Sequence, residues 1–440
     1  MEHYIFYCKL SLLAVLSLIT ACCMLSRRWY VNLAAFLACL SGETFLAHLF
    51  FPGYMLCPAA ASFIILFLSR IWDLSRTPAK GNGADPIRLP VRSGIRESRL
   101  EFHYHYSNFL VYGEAGSGKT KSIGKWLLSE YMRLGFAGFI YDFKDTDYTR
   151  TAYNLIKRHR YPLMVSYFCF YMPERSYRFN PLKVVRDRTE LIQLMEDVLL
   201  ALLPKKEQQN EWVAGGLGIL RGVAFRFWDE FPEHCTLPHI LAFIMTASAR
   251  QLSLFLQQNL VSEMLAGAYL KAEGSEKTQA SYLSTLCNNL ATISQNEEIA
   301  YVLSGDDFDF NLIDPETPKL FAVSNNFSKN SVYAPVISML MTISARQFSM
   351  QNRVPFVYFL DEMTTVNIKN FETLPSVLRE YKAAFILLTQ SGAKLENLYG
   401  KLDRSSVEAN FGNMFLGRTK DVEALKYYPL FFGKEEKERR

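Results

Sequence analysis

Ser107, Asn108, Phe109, Leu110, Val111, Tyr112, Gly113, Glu114, Ala115, Gly116, Ser117, Gly118, Lys119 and Thr120 form the stretch that decides the fold of this chain. Residues 107–112 are mostly apolar and predict a short buried strand, residues 121–134 predict a helix, and the loop between them follows G-x-x-x-x-G-K-[ST]. Glycines at those positions let the backbone wrap a phosphate, so that successive N–H groups and the helix N-terminus point at the anion. The residues expected to line the nucleotide are Gly113, Glu114, Ala115, Gly116, Ser117, Gly118, Lys119, Thr120 and Lys121. Lys119 is expected on the β- and γ-phosphates and Thr120 on a Mg²⁺ ion, which makes ATP and Mg²⁺ the expected cofactors.

Such a loop needs an acidic partner at the end of another strand. Residues 355–360 are apolar or aromatic after Pro355 and lead into Asp361 and Glu362, a pattern that predicts a buried parallel strand whose carboxyl edge faces the phosphates. Asp361 is then the second metal ligand and Glu362 the general base that polarises the attacking water. A third strand over 383–388 ends in Thr389 and Gln390; Gln390 either senses the γ-phosphate and its water or merely ends a strand. Arg379, between these two strands, is either a solvated helix residue or a guanidinium offered to a neighbouring subunit's site. Further strands are expected at 138–141, 163–170, 319–324 and 413–416. Strands separated by helical stretches give an α/β class, a mostly parallel sheet with helices on both faces. From about 181 to 309 the texture is helical, with runs at 189–203, 211–230, 238–257 and 280–303, and reads as an inserted all-α lobe.

Working outward, the chain has 440 residues, half of them hydrophobic, with 21% charged and a formal net charge of +5. That excludes a disordered polyelectrolyte and leaves room for two or three domains. The apolar residues are concentrated: residues 10–26, 29–42 and 44–69 carry no Lys, Arg, Asp or Glu. A spanning helix takes about 20 apolar residues, so three spans are expected near 4–25, 30–51 and 52–71. Arg27 and Arg28 on one side, and Arg70, Arg76 and Lys80 on the other, both face the cytoplasm if there are three spans, whereas two spans would put the Arg pair outside. Glu43 and His48 fall within the second span and predict a polar contact or a face turned to a neighbouring helix. Ile19, Thr20, Ala21 and Cys22 also resemble a lipoprotein cleavage box, but only Lys9 supplies an n-region, and two apolar stretches would remain after cleavage.

Five of the eight cysteines lie in this segment, and Cys169, Cys235 and Cys287 are far apart, which supports neither a metal site nor a disulfide framework. Residues 70–99 hold seven basic and three acidic side chains, whereas residues 100–440 hold 38 of each. The basic stretch is expected to lie along anionic headgroups, above a neutral body. The expected organisation is a transmembrane anchor over 1–75, a basic linker over 76–100, a nucleotide-binding domain from 101–182 and 310–440, and an all-α domain over 183–309.

The order of these motifs resembles the TraG/TraD type IV coupling proteins. The matching residues are the apolar N-terminal segment, the loop at 113–120, Tyr141, Asp142, Phe143 and Lys144, and the run Arg178, Phe179, Asn180, Pro181, Leu182. They continue through Leu360, Asp361, Glu362, Arg379, Gln390, Ser391, Leu395, Tyr399, Gly400 and Phe415, Leu416, Gly417. The resemblance implies a RecA-like P-loop NTPase domain, a homo-hexamer around a channel, and a multi-pass protein of the bacterial cell inner membrane with its ATPase domain in the cytoplasm. It also implies ATP-driven transport of single-stranded DNA with its relaxase toward type IV secretion channel components, with Arg379 as an arginine finger in trans and Gln390 as the sensing residue. Phe143 and Asp145 stand where the family often has Pro and Gly, and Lys394 where a second Gln is common.

DNA handling is carried by the resemblance alone. The basic run Lys157, Arg158, His159, Arg160 ends a predicted helix, and Lys205 and Lys206 read as a turn. The alternative is an ATP-dependent receptor or docking platform for protein substrates that does not itself pump DNA; a non-hydrolysing scaffold is opposed by Glu362.

Overall fold

The computed structural model describes residues 85–93, 96–203, 207–420, 424–426 and 428–429. The expected spans, with Glu43 and His48, and the Lys205, Lys206 turn lie outside these residues. Among the described residues no helix is long and apolar enough to cross a membrane.

Seven parallel strands form one sheet in the order β5-β6-β4-β7-β8-β3-β9. They are β3 (Phe109–Tyr112), β4 (Ala137–Asp142), β5 (Met164–Cys169), β6 (Lys319–Ser324), β7 (Phe356–Leu360), β8 (Ala383–Thr389) and β9 (Asn413–Leu416). Every residue of β3, β4, β7 and β8 is buried, the mark of parallel strands covered on both faces. Alternate side chains go to opposite cores. Phe109, Val111, Ile140, Phe359 and Ile386 meet Leu127, Tyr131, Tyr148 and Leu155 of the helices Lys125–Arg133 and Asp147–His159. Leu110, Phe139, Tyr358 and Phe385 face the other core.

That second core is continuous with the helices that occupy the sequence between β5 and β6, so the helical stretch shares its interior with the sheet rather than packing on its own. The junction is the run at 178–182. Phe179 packs 5.2 Å from Phe168 and 5.6 Å from Phe321 between ring centroids, and Asn180 donates to the Cys235 carbonyl at 2.8 Å. The axis of the helical stretch is Glu211–Glu230, where a side chain at Gly218 or Gly222 would meet the Leu265 or Ser262 carbonyl oxygen within 3 Å. The runs expected at 238–257 and 280–303 are each divided: Ser248 caps Ala249–Gln257 in a reciprocal bond with Gln251, and Asn296 caps Glu297–Val302.

One stretch departs from the sequence reading. Residues expected within the basic linker pair as an antiparallel hairpin, β1 (Ile87–Ser93) with β2 (Arg96–Phe102). Buried Ile87 and Leu89 join the core over the helix Lys125–Arg133, and Arg133 ion-pairs with Asp85 and Glu130, while Glu130 accepts the Arg88 N–H at 2.9 Å. Alternate apolar residues among the charges decide the outcome, because one buried face suffices for a strand.

Candidate nucleotide site

Parallel strands bring their carboxyl ends to one edge, and every expected active residue except Arg379 arrives there. After β3 the loop turns through Gly116 and Gly118 at φ 77° and 91°, left-handed conformations that glycine adopts without strain. Lys119–Gly124 forms a widened first turn that runs into the helix Lys125–Arg133. Lys119 is 6% exposed; its ammonium donates to the Gly113 carbonyl and lies 3.4 Å from Glu362 Oε1. Burial lowers its pKa, and the Glu362 carboxylate opposes that shift. Thr120 follows it half-buried, while Ala115, Gly116 and Lys121 are exposed. Glu114 turns outward: its carboxylate accepts the Lys420 N–H, and its own N–H donates to the Arg418 carbonyl at 3.2 Å.

At the end of β7, one strand beyond β8, the Asp361 N–H donates to the Tyr141 carbonyl at 3.0 Å, which locks the end of β7 to β4. Asp361 is fully buried, and among the described residues neither carboxylate oxygen has a hydrogen-bond partner. Burial raises its pKa from 3.8 to about 7, with Glu362 and Asp142 adding to the rise and Lys144 and Lys119 opposing it. A buried carboxylate left without partners is costly and calls for a cation. With Thr120 on the loop, Asp361 therefore fits the two protein ligands expected for Mg²⁺ at a nucleotide phosphate.

Glu362 is 3% exposed and sits at φ 45°, a strained conformation for a residue with a Cβ. Its Oε1 is 3.4 Å from Lys119, 3.4 Å from the Gln390 amide and 3.5 Å from the Lys144 ammonium. Behind it, the Thr365 hydroxyl donates to the Glu362 carbonyl at 2.7 Å and bonds the Tyr141 hydroxyl, which Asn325 also reaches. This brace, and the approach of Lys144, are not legible from the motifs; the position of Lys144 just beyond β4, beside β7, is the one signal. Arg379 lies exposed on the helix Leu374–Glu380 between β7 and β8, outside the cluster bonded to Glu362.

A family model described as the type IV secretion-system coupling protein DNA-binding domain matches residues 100–440. Among curated proteins none matches. Solved structures of the conjugative coupling protein TrwB are similar at the level of the fold. The trigonal form with sulphate has a TM-score of 0.58 at 16% identity, covering 79% of this chain and 76% of that one. TrwB with the ATP analogue ADPNP has a TM-score of 0.57 at 16% identity over 79% and 76%, and TrwB with ADP and Mg²⁺ has 0.56 at 16% over 79% and 75%. Matched over residues 100–440, with the phosphate loop and the acidic strand end on the same sheet edge on either side of β8, this chain belongs to the type IV secretion-system coupling protein family.

Proposed function

We propose that this protein is a membrane-anchored ATPase that couples ATP hydrolysis to transport of relaxase-bound single-stranded DNA into a type IV secretion or conjugation channel. The observation that carries the hydrolytic part is Glu362, buried among Lys119, Lys144 and Gln390 beside the unpaired Asp361. Bound Mg²⁺·ATP would supply the electrophilic γ-phosphorus, and Thr120 and Asp361 would hold its Mg²⁺. Lys119 exchanges Glu362 for phosphate oxygens. Glu362, freed on that side, accepts a proton from the attacking water, and Gln390 orients the same water. TrwB, which shares the fold, has been seen with ADPNP, with the GTP analogue GDPNP and with ADP and Mg²⁺, and this supports nucleotide and Mg²⁺ binding here.

Two further parts of the reading rest on other observations. Arg379 is exposed and outside its own chain's cluster, which supports a homo-hexamer in which it serves the neighbouring site. The uncharged stretches before residue 70 support a multi-pass anchor in the bacterial inner membrane. The test is ATPase turnover of the full-length protein in lipid nanodiscs, with and without single-stranded DNA, over a series of salt concentrations. Stimulation that fades as salt rises is expected. Turnover indifferent to DNA, with no salt-sensitive binding, defeats the DNA motor and leaves the protein-docking platform.

A further inference from the structure

Three donors share one carboxylate oxygen of Glu362, and they are not equivalent. Lys119 is buried and belongs to the phosphate loop; Gln390 is neutral. Lys144 is exposed and reaches Glu362 from the solvent side, although nothing in the phosphate-loop pattern requires a cation there. Its position is built into the fold. The β4–β7 register pairs Leu360 with Tyr141, three residues before Lys144, and the Asp361 N–H bonds the Tyr141 carbonyl. Asp142 then accepts the Lys144 N–H at 3.3 Å and the Thr149 N–H and hydroxyl at 2.9 and 3.1 Å. Asp145 and Thr146 turn the chain at φ 44° and 74°, and Asn326 donates to Asp145 at 3.3 Å. A flexible lysine thus stands on a pinned loop.

The phosphate chemistry assigned above calls Lys119 away from Glu362. Among the described residues, Lys144 is then the remaining cation within ion-pair distance of that carboxylate. Resting on the ATPase reading, we propose that Lys144 is a positioning residue that holds the Glu362 carboxylate on the attacking water once Lys119 has moved to the phosphates. A loosened general base slows the chemical step and leaves binding of nucleotide nearly as it was.

The experiment compares wild type, Lys144→Met and Lys144→Arg as full-length protein in nanodiscs. It measures steady-state ATPase kinetics, calorimetric binding of a non-hydrolysable ATP analogue with Mg²⁺, and thermal melting. For Lys144→Met we expect kcat lower by about 10- to 100-fold, with KM and the analogue Kd within about 2-fold and the melting curve unmoved. Lys144→Arg, which keeps the charge, recovers most of kcat. An unchanged kcat in Lys144→Met overturns the proposal. So does an analogue Kd that weakens as far as kcat/KM falls, which makes Lys144 a phosphate ligand, and so does an arginine variant no better than methionine. Wild type that binds the analogue without turning over ATP brings down the ATPase reading itself, and this inference with it.

Discussion

Two cations, each 6% exposed, show how the sheet edge differs from the helical stretch. Arg226, on the helix Glu211–Glu230, is saturated: it donates to Glu230 at 2.9 Å, to Gln258 at 2.8 Å and to the Phe255 carbonyl, and it stacks 4.1 Å from the Phe255 ring centroid. Lys119 has a loop carbonyl and a carboxylate at 3.4 Å, and beside it neither carboxylate oxygen of Asp361 has a hydrogen-bond partner among the described residues. Burying charge is tolerable only with partners. The helical stretch finds them within the chain, whereas the sheet edge leaves them to be supplied by what binds. A satisfied buried charge is architecture; an under-satisfied one is a place for a ligand.

The contrast can be broken most directly at Glu362. Glu362→Gln keeps the shape and removes the base, so kcat is expected to fall by about 10²- to 10⁴-fold while the melting temperature holds. An equal turnover in both proteins would mean that another group takes the proton. On the architectural side, Arg226→Met is expected to cost on the order of 3 kcal/mol of stability, read by denaturant titration, because the Phe255 carbonyl and Gln258 lose their donor. Its effect on nucleotide affinity should be negligible.

Asp361 sharpens the comparison through pH. Its folded-state pKa of about 7 lies above 3.8, so the nucleotide-free fold binds a proton that the unfolded chain releases across that window. Stability from this group is therefore greatest at the acid end and is lost as pH rises through about 7. Asp361→Asn should raise the stability of the nucleotide-free protein by on the order of 2 to 3 kcal/mol more at pH 8 than at pH 5, a value already above the unfolded pKa, while abolishing turnover. Differential scanning calorimetry at both pH values checks this, and Mg²⁺·nucleotide should stabilise wild type but not the variant. The smallest effect belongs to a cap: Ser248→Ala, which removes the bond that starts Ala249–Gln257, should cost about 1 kcal/mol and leave ATPase kinetics alone.

How much of this is legible before folding follows from where the signal sits. The strands that carry Asp361 and Gln390 are readable because an all-buried parallel strand is an uninterrupted apolar run ending in polar residues. The helix Glu211–Glu230 is readable from its length and apolar content, in spite of Gly215, Gly216, Gly218 and Gly222, whose use is close packing. The hairpin over β1 and β2 is hidden because Pro90 and the surrounding arginines outweigh two inward residues, Ile87 and Leu89, in any local average. The breaks at Ser248 and Asn296 are hidden because the apolar rhythm continues across them; a side chain that caps a backbone N–H leaves no trace in hydropathy. Lys144 is hidden for a different reason. Its partner is 218 positions away, and only the β4–β7 pairing brings the two together.

Strand β3 lies between β8 and β9, so the strand leading into the phosphate loop is flanked on both sides by the last strands of the sheet to be synthesised. During translation β3 emerges early and must wait for more than half of the chain before either neighbour exists. Pairing over such sequence separations is slow, because loop closure comes before any contact can reward it. The phosphate loop is therefore the last part of the edge to be framed, and the protein acquires a competent nucleotide site only when its C-terminal strands have docked.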